Sequence, residues 1–258
     1  MPRPVALITG PSSGIGAGFA RRYAAEGHDL VLVARDENRL VQLAAELMDR
    51  HGTSSEIIVA DLAEADGRAA VQDRLADGVR VLVNNAGFGT TGRFWTAEPA
   101  MLQAQLDVHI TAVLALTRAA LPPMLAAGAG TVINVASMAG LFPGREATYS
   151  ASKSWVIFFS EGLAGAVART GVTVHALCPG YVHTEFHQRA GIDMSKLGSF
   201  MWLDVDDVVD NCLAEIAKGE VLIIPGVQYK ILNMLGGLIP RTLMRPLVRR
   251  IGGGRDRT

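Results

Sequence analysis

The sequence predicts an α/β protein built on one doubly wound parallel β-sheet, with helices on both faces of the sheet. Short apolar runs alternate along the chain with longer segments of helical spacing. Inside these runs the apolar residues are mostly consecutive, which is typical of strands buried on both faces. No linker or repeat interrupts the alternation, so we expect a single domain over residues 1–258. The seven runs are Val5–Thr9, Leu30–Ala34, Glu56–Ala60, Val79–Val83, Thr131–Ala136, Val172–Leu177 and Val221–Ile224.

The composition favours a soluble protein in a reducing compartment. Hydrophobic residues make up 49% of the 258 residues and the formal net charge is −1, so no overall field attracts nucleic acid. Cys178 and Cys212 lie too far apart for a disulfide scaffold or a metal motif, so we expect a cytoplasmic location. The segment before the first run is too short for a secretory signal. The uncharged stretch between Lys230 and Arg241 is too short to span a bilayer.

A glycine-rich turn follows the first apolar run and begins the first helical segment. Gly10 allows the chain to turn with a positive φ, and Gly14 allows the backbone to approach a pyrophosphate closely. Gly16 allows the helix to pack against the sheet, while the N–H groups of the helix N-terminus face the anion. This arrangement predicts a dinucleotide-binding turn, although similar glycines also occur in ordinary strand-to-helix turns. The segment also contains Ser12, Ser13 and Ile15.

The residues that end the second run indicate which dinucleotide is bound. NAD sites usually carry an acidic residue about 20 positions past the glycines, where it binds the ribose 2′-hydroxyl. Here that position holds Ala34, and Arg35 follows it. A guanidinium can pair with the 2′-phosphate of NADP(H), which a carboxylate would repel. We therefore predict NADP(H) as the cofactor; the alternative is that Arg35 is a solvated loop charge.

The motifs along the chain resemble those of the short-chain dehydrogenase/reductase family, and the resemblance extends to about Ile224. Each motif alone is weak, but their order along the chain is specific. The resemblance implies a single Rossmann-type domain and an oxidoreductase that transfers a hydride between NADP(H) and a carbonyl or alcohol. The motifs are Thr9–Gly16, Asp61-Leu62, Asn84-Asn85-Ala86-Gly87, Ser137, Tyr149-x-x-x-Lys153 and Pro179-Gly180.

The resemblance also implies a role for each motif. Ser137, Tyr149 and Lys153 are expected to form the catalytic set, and Lys153 also to hold the nicotinamide ribose. Asp61 is expected to meet the adenine, with Leu62 beside it. The other implied cofactor-binding positions are Asn85, Ala86 and Gly87 at the adenosine side, and Pro179, Gly180, Val182 and Thr184 at the nicotinamide.

Tyr149 and Lys153 have the spacing that this chemistry requires. A phenol has an ordinary pKa of about 10, and lowering it to about 7–8 requires roughly 3–4 kcal/mol of preferential stabilisation of the phenolate. An ammonium about 4 Å away supplies about 4 kcal/mol at an effective dielectric constant near 20. The segment Ala147–Thr170 has helical spacing, so the two side chains share one face. Ser137 can donate a hydrogen bond to the developing oxyanion.

One position departs from the family pattern. Family members usually have an asparagine in the helix before the fifth strand, where it helps to hold a water in a proton relay. The matching stretch here is Leu106–Ile110, and His109 takes the place of the asparagine. Its imidazole can both donate and accept a hydrogen bond, so we count His109 as a candidate catalytic residue. The alternative is that the helix backbone alone supports the water.

The region after Gly180 is where the family builds its substrate lid, and we expect the lid over residues 181–203. The rim of the predicted pocket is mainly apolar, which favours a hydrophobic carbonyl or alcohol substrate unless these side chains pack into the core. His183 and His187 lack a third ligand, so no metal site is expected. The apolar rim residues are Phe88, Phe94, Trp95, Met138, Leu141, Phe142, Phe200, Met201 and Trp202.

A further segment, expected to be a helical extension, covers residues 226–258. Its apolar positions have helical spacing, and six arginines from Arg241 onward contrast with one acid, Asp256. Four arrangements are open: packing on its own domain, covering the pocket, contacting a second subunit or lying on a membrane surface. Because family members commonly form dimers or tetramers, we expect a homodimer or homotetramer.

The sequence leaves three functions open. The first is an NADP(H)-dependent reductase of a hydrophobic carbonyl compound, such as a 3-oxoacyl thioester. The second is an NAD-dependent alcohol dehydrogenase of the same family, and the third is a non-catalytic dinucleotide sensor or scaffold. The presence of Ser137, Tyr149 and Lys153 together argues against the third, because a sensor has no need for a proton-transfer set.

Overall fold

The apolar runs form parallel strands in the computed structural model, which describes residues 2–90, 93–142, 147–191 and 198–238. Each of the seven runs overlaps a strand of the main sheet, and no end differs by more than two residues. The predicted fold class is therefore confirmed. The strands are β1 (Val5–Thr9), β2 (Asp29–Ala34), β3 (Ser55–Val59), β4 (Val81–Asn84), β5 (Gly130–Val135), β6 (Val172–Leu177), β7 (Tyr181–Val182), β8 (Trp202–Leu203) and β9 (Leu222–Ile223).

The main sheet has the strand order β3-β2-β1-β4-β5-β6-β9, and its neighbouring strands are parallel. The order reverses between β1 and β4, and the crevice beyond the carboxyl ends at such a point is where doubly wound sheets bind ligands. The short strands β7 and β8 pair only with each other. The inner strands are buried on both faces, as predicted, but β3 is not, because it lies at the edge and Val59 is exposed.

Helices connect the strands and cover both faces of the sheet. Residues of the first, second and eighth helices form one core cluster with the sheet, and residues of the third, fifth and sixth form another. The helices are α1 (Gly14–Ala25), α2 (Glu37–His51), α3 (Ala65–Ala76), α4 (Pro99–Leu106), α5 (Ala112–Ala127), α6 (Ala147–Ala166), α7 (Phe186–Arg189), α8 (Val205–Ala217) and α9 (Val227–Leu238). A π-helical turn, Asp107–Thr111, joins α4 to α5.

The helix ends follow local chemistry. The carboxylate of Asp36 accepts a hydrogen bond from the backbone N–H of Arg39 at 3.1 Å and so caps the start of α2. The other end of α2 is capped by Gly52, which has a φ of +60°. Helix α6 carries Tyr149 and Lys153, as predicted, but it ends at Ala166 rather than at Thr170. Arg169, with a φ of +69°, lies in the turn that leads into β6.

The helical stretch Pro99–Ala127 is the one segment in the described ranges whose length and mean hydropathy would suit a membrane span. Core helices of α/β proteins pass the same test. Leu116 and Ala120 are fully buried and belong to the core cluster that also contains Val132 of β5. We therefore assign this stretch to the helical layer of the sheet.

Candidate active site

The glycine turn adopts the backbone conformation that the sequence predicts. Gly10 has a φ of +67° and Gly14 a φ of +58°, in the region that favours glycine. A β-carbon at Gly16 would lie 2.4 Å from both the carbonyl oxygen of Gly10 and the Nδ2 of Asn85. Only glycine therefore lets α1 leave the turn so close to the end of β4.

Hydrogen bonds of the Thr9 and Asn85 side chains stabilise this turn. The part played by Thr9 was not predicted from the sequence. The Asn85 amide donates to the carbonyl oxygens of Thr9 and Gly10 at 2.9 and 3.1 Å. The Thr9 hydroxyl accepts from the backbone N–H groups of Asn85 and Ala86 at 2.9 and 3.0 Å. Asn85 thus steadies the turn with its side chain, and Thr9 ties the ends of β1 and β4 together.

Arg35 and Asp61, which are predicted to bind the adenosine, meet beyond the carboxyl ends of β2 and β3. The Nη1 of Arg35 lies 3.5 Å from the Oδ2 of Asp61, and the Arg35 side chain is 74% exposed. The other carboxylate oxygen of Asp61 accepts from the backbone N–H of Ala63 at 2.9 Å. Leu62, by contrast, points into the core, so its side chain is not available to a cofactor.

Arg39 is a second basic residue near this end, and the sequence analysis missed it. Its guanidinium donates to Glu185 at 2.9 Å, which links the start of α2 to the segment that begins the lid. Arg39 also pairs with Asp36, and Glu185 pairs with Arg189. The two arginines lower the pKa of Glu185. An ion-pair chain therefore connects the second strand–helix connection to the lid.

A cavity of about 820 Å³ opens between the glycine turn and the lid. Thr184 stands opposite Gly14, since a β-carbon at Gly14 would lie 3.0 Å from the methyl group of Thr184. The cavity thus brings the predicted phosphate-binding turn and a predicted nicotinamide-side residue together. Its walls are polar and include Ser12, Ser13, Gly14, Arg21, His183, Thr184, Glu185, Asp204, Asp206 and Asp207.

Tyr149 and Lys153 lie together at the reactive end of the crevice. The Lys153 Nζ is 5.9 Å from the centre of the Tyr149 ring and donates to the carbonyl oxygen of Val135 at 2.8 Å. At that separation two opposite unit charges attract each other by about 3 kcal/mol at an effective dielectric constant of about 20, which favours the phenolate over the phenol. Burial lowers the pKa of Lys153 itself to about 8, so its charge titrates just above neutral pH.

Two further residues near the Tyr149–Lys153 pair are Ser137 and Cys178. The Ser137 oxygen accepts from the backbone N–H of Ala139 at 3.1 Å, which fixes the side chain at the carboxyl end of β5. The thiol of Cys178 is buried near Lys153, and burial raises its pKa to about 12. Cys178 therefore stays neutral and adds no charge beside the lysine.

His109 is fully buried beside Tyr149, with the two rings 5.5 Å apart and nearly perpendicular. Its Nε2 accepts from the backbone N–H of Phe88 at 3.1 Å, so the proton of the neutral ring is on Nδ1. Nδ1 lies 3.0 Å from the Ser152 hydroxyl, which donates to the carbonyl oxygen of Tyr149 at 2.8 Å. Burial, with Lys153 nearby, holds the pKa of His109 well below its usual range.

The bonding of His109 bears on the two alternatives for this position. Both ring nitrogens have partners inside the protein, so the imidazole ties the Phe88 loop to the backbone of Tyr149. This arrangement favours a positioning role over a place in the proton relay. His109 sits in the π-helical turn.

The residues predicted to bind the nicotinamide lie next to Tyr229. The part played by Tyr229 was not predicted from the sequence. A β-carbon at Gly180 would lie 1.9 Å from the Tyr229 ring, so Gly180 is required by this packing. The Tyr229 hydroxyl accepts from the backbone N–H of Tyr181 and donates to the carbonyl oxygen of Met201. The side chain of Val182 is buried in the core, while the Thr184 hydroxyl accepts from the N–H of Phe186 at 3.3 Å.

The predicted apolar rim is only partly right. Met138, Leu141, Phe142 and Met201 belong to a core cluster around Tyr229 and so serve packing. The exposed members are Phe94, Trp95 and Phe200. Phe186, in the segment predicted to form the lid, lies beside Tyr149, with the two ring centres 6.0 Å apart.

Of the two histidines in the predicted lid, only His183 has a described side chain, and it packs on a tryptophan. His183 stacks on Trp202 with the rings 4.6 Å apart, and the side chain of His187 lies outside the described residues. Within the described part of the chain, no group of three histidine, cysteine or acidic side chains has an arrangement suited to a metal ion.

The chain belongs to the short-chain dehydrogenase/reductase family. The family model for short chain dehydrogenases matches residues 4–194, which include the glycine turn, Ser137, Tyr149 and Lys153. Together with the parallel sheet, this match makes the protein an oxidoreductase of that family.

Three relatives illustrate the likeness. A short-chain dehydrogenase from Sphingobium yanoikuyae, solved in complex with NADPH, is 36% identical with a TM-score of 0.83, covering 92% of this chain and 96% of its own. A Burkholderia phymatum family member, solved with NAD, is 25% identical with a TM-score of 0.79, covering 91% and 92%. The very-long-chain 3-oxoacyl-CoA reductase of Anas platyrhynchos is 34% identical over 190 residues, or 70% of this chain, which spans 60% of the duck protein.

Proposed function

We propose that the protein transfers a hydride between NADP(H) and a hydrophobic carbonyl or alcohol, with Tyr149 as the general acid and base. The observation that carries this proposal is the buried ammonium of Lys153 beside the Tyr149 ring, at the carboxyl end of β5. When bound, the dinucleotide supplies or accepts a hydride at its nicotinamide ring. The side chains of the protein hold the reacting oxygen and move the accompanying proton.

The crevice fits a dinucleotide at its phosphate end. The positive φ angles of Gly10 and Gly14 direct the turn beneath the cavity, and the N-terminus of α1 follows at once, where backbone N–H groups attract an anion. A side chain at Gly14 would fill the space before Thr184. Ser12, Ser13 and Gly14 would hold the phosphates, Arg35 and Asp61 the adenosine, and Lys153 and Thr184 the nicotinamide half.

The proton chemistry follows from the positions of three side chains. In the direction of reduction, the substrate carbon gains the hydride while its oxygen takes the proton of the Tyr149 hydroxyl. The Ser137 hydroxyl donates to the same oxygen as negative charge develops on it. The Lys153 ammonium stabilises the phenolate that remains, and the phenolate then recovers a proton from solvent. Alcohol oxidation follows the same steps in reverse.

The preference for NADP(H) rests on the adenosine end. Arg35 is largely exposed there, and the carboxylate of Asp61 holds its guanidinium at 3.5 Å without burying it. A 2′-phosphate can compete for that guanidinium, because it carries more charge and offers more acceptor oxygens than the carboxylate. The relatives include both an NADPH complex and an NAD complex, so Arg35 is the feature that favours NADP(H).

The proposed hydrophobic substrate rests on aromatic side chains of the reactive end and of the predicted rim. Phe186 lies next to Tyr149, and Phe94 and Trp95 are exposed in the segment after β4. The duck relative is named as a reductase of very-long-chain 3-oxoacyl-CoA, whose long acyl chain is apolar and carries a reducible carbonyl. We propose a substrate of the same general kind, with an apolar chain attached to a ketone or secondary alcohol.

The Tyr149→Phe variant tests the assignment of the acid and base. The variant lacks only the phenolic hydroxyl, so we expect NADPH binding to survive while turnover falls by about 10²–10⁴-fold. Fluorescence titration measures the first quantity and NADPH consumption with a panel of aliphatic, aromatic and acyl-thioester ketones measures the second. Near-normal turnover in the variant would remove Tyr149 from the mechanism. Wild-type protein that binds NADPH but reduces no carbonyl would favour a dinucleotide sensor.

We also propose a cytoplasmic homodimer or homotetramer. Both cysteines are buried as free thiols, which suits a reducing compartment. Phe158 on α6 is 70% exposed and Leu114 on α5 is also exposed, so these two helices carry apolar surface that a second subunit would cover. Light scattering of the purified protein measures the assembly, and a monomer at micromolar concentration would contradict this part of the proposal.

A further inference from the structure

Helix α9 is attached firmly to the rim of the reactive end by one side. Tyr229 is buried, and its ring packs against Gly180 while its hydroxyl bonds the backbone at Tyr181 and Met201. About two turns further along, a β-carbon at Gly236 would lie 2.3 Å from the Phe142 ring, so the helix approaches that loop closely. These contacts fix which side of the helix faces outward.

The outward side of α9 is apolar. Val227, Ile231, Met234 and Leu235 are 71%, 47%, 62% and 51% exposed, and their spacing places them on one face. We call these four residues the outer stripe. A helix that served only its own domain would turn such a stripe inward, so this face is built to be covered. Leu232, at the border of the stripe, is 47% exposed as well.

The sequence that follows α9 is strongly basic. Six arginines and one acid lie between Arg241 and the last residue, although the whole chain has a net charge of −1. These arginines lie outside the described residues, and all of them follow the helix within twenty positions. They are Arg241, Arg245, Arg249, Arg250, Arg255 and Arg257.

The positive charge of the sequence after α9 indicates which partner would cover the outer stripe. A second copy of the chain docked on this face would bring two sets of arginines together, and their repulsion opposes that contact. An anionic lipid surface accepts both features, because the apolar stripe enters the interface while the arginines meet the headgroups. The ten uncharged residues between Lys230 and Arg241 are too few to cross a bilayer, which takes roughly 20, whereas the described helix is long enough to lie on one.

We propose that α9 and the basic segment after it dock the protein reversibly on an anionic lipid surface. The outer stripe is the contact, and the Tyr229 and Phe142 packing holds that contact beside the substrate rim. Docking would place the reactive end near a source of apolar substrate. That last consequence rests on the proposed function, whereas docking itself does not.

Co-sedimentation of the full chain with vesicles tests the proposal. Phosphatidylcholine vesicles containing phosphatidylserine should bind the protein, and binding should weaken by more than about tenfold with pure phosphatidylcholine or at high salt. The double variant Ile231→Ser/Met234→Ser should lose binding by a similar factor, because two apolar side chains no longer enter the interface. The matched control Val41→Ser/Met101→Ser removes two exposed apolar side chains elsewhere and should bind as the wild type does.

A second variant keeps the test independent of the helix itself. Arg245→Gln/Arg249→Gln/Arg250→Gln leaves α9 unchanged and should also weaken binding to the anionic vesicles. Equal sedimentation with both vesicle types, or binding that the stripe variant leaves unchanged, would overturn the proposal. So would a stripe variant that dissociates a wild-type dimer in light scattering, since the stripe would then contact a second copy. NADPH titration and turnover of a water-soluble ketone in the stripe variant report on the proposed function separately.

Discussion

The protein holds the nucleotide end of its crevice with backbone atoms, whereas it holds the reactive end with buried side chains. At the nucleotide end, Gly10, Gly14 and Gly16 place the chain, and the Thr9 and Asn85 side chains bond that backbone. At the reactive end, Lys153 and His109 are buried side chains whose protonation matters. Substitutions at the two ends should therefore act in different ways. At the nucleotide end they displace the backbone sterically, whereas at the reactive end they change a charge or the position of a proton.

Of the changes at the nucleotide end, Gly16→Val is expected to have the largest effect. Its β-carbon would meet the Gly10 carbonyl oxygen at 2.4 Å, and that backbone cannot move without displacing the turn. Overpacking of this kind costs about 2–3 kcal/mol, so NADPH binding should weaken by about 30–150-fold. Fluorescence titration and the urea midpoint measure the two consequences. Gly162→Ala is the control, because a β-carbon there meets nothing within 4 Å; comparable losses in both variants would refute the steric explanation.

Lys153→Met should remove charge at the reactive end and leave the nucleotide end unchanged. The phenolate loses its ammonium neighbour, so we expect turnover to fall by about 100–1,000-fold. Lys218→Met, which removes an exposed lysine, serves as the control. A Lys153→Met variant that turned over normally would show that the Tyr149 phenol does not depend on this charge.

Lys153 should also give the fold a pH dependence that the methionine variant lacks. Burial lowers its pKa from 10.5 to about 8, so between these values the unfolded chain binds more protons than the folded one. The free energy of unfolding should therefore rise with pH across this window, by up to about 3 kcal/mol relative to Lys153→Met. The gain is fully present above pH 10.5 and is lost as the pH falls through about 8. Parallel urea titrations across the window measure this difference, and a constant difference would contradict it.

His109→Asn should have a smaller effect than Lys153→Met. Asparagine can still donate to Ser152 from near the Nδ1 position, but it is too short to accept from the N–H of Phe88. We expect turnover within about tenfold of wild type and a loss of about 1–2 kcal/mol in stability, from one unsatisfied backbone donor.

The control for this position is His109→Gln, whose longer side chain can reach the Phe88 N–H and should recover stability. Kinetics and urea unfolding together separate the two roles of the residue. A near-total loss of kcat in His109→Asn, with NADPH binding intact, would place the imidazole in the proton relay instead.

The two ends also differ in how well the sequence predicts them. Glycine spacing and a Tyr–Lys pair on one helical turn are local patterns, so the turn and the Tyr149–Lys153 pair could be read directly. The partners of Thr9 and Tyr229 lie 76 and 48 positions away in the chain. Only the packing of β1 against β4, and of α9 under the lid, brings these residues into the site.

The apolar rim was predicted only in part, for a related reason. A buried methionine and an exposed tryptophan look alike in a loop sequence, since both are apolar residues without periodicity. Met138 packs into the core around Tyr229, whereas Trp95 is exposed. The strands were easier, because burial on both faces leaves consecutive apolar residues, and only the edge strand β3 departs from that pattern.

At the nucleotide end, the smallest effect is expected for Arg35→Ala. This change tests a charge at an end that is otherwise held by backbone contacts. Because its side chain is 74% exposed, water and salt screen its pairing with a 2′-phosphate, and we expect NADPH affinity to fall by only about tenfold. NADH affinity should not change, since NADH has no 2′-phosphate to lose contact with. Arg50→Ala, which removes an exposed arginine near the far end of α2, is the control. If Arg35→Ala weakened both cofactors equally, the arginine would support the adenosine without selecting between them. NADH binding tighter than NADPH in the wild type would assign the protein to the NAD-dependent members of the family.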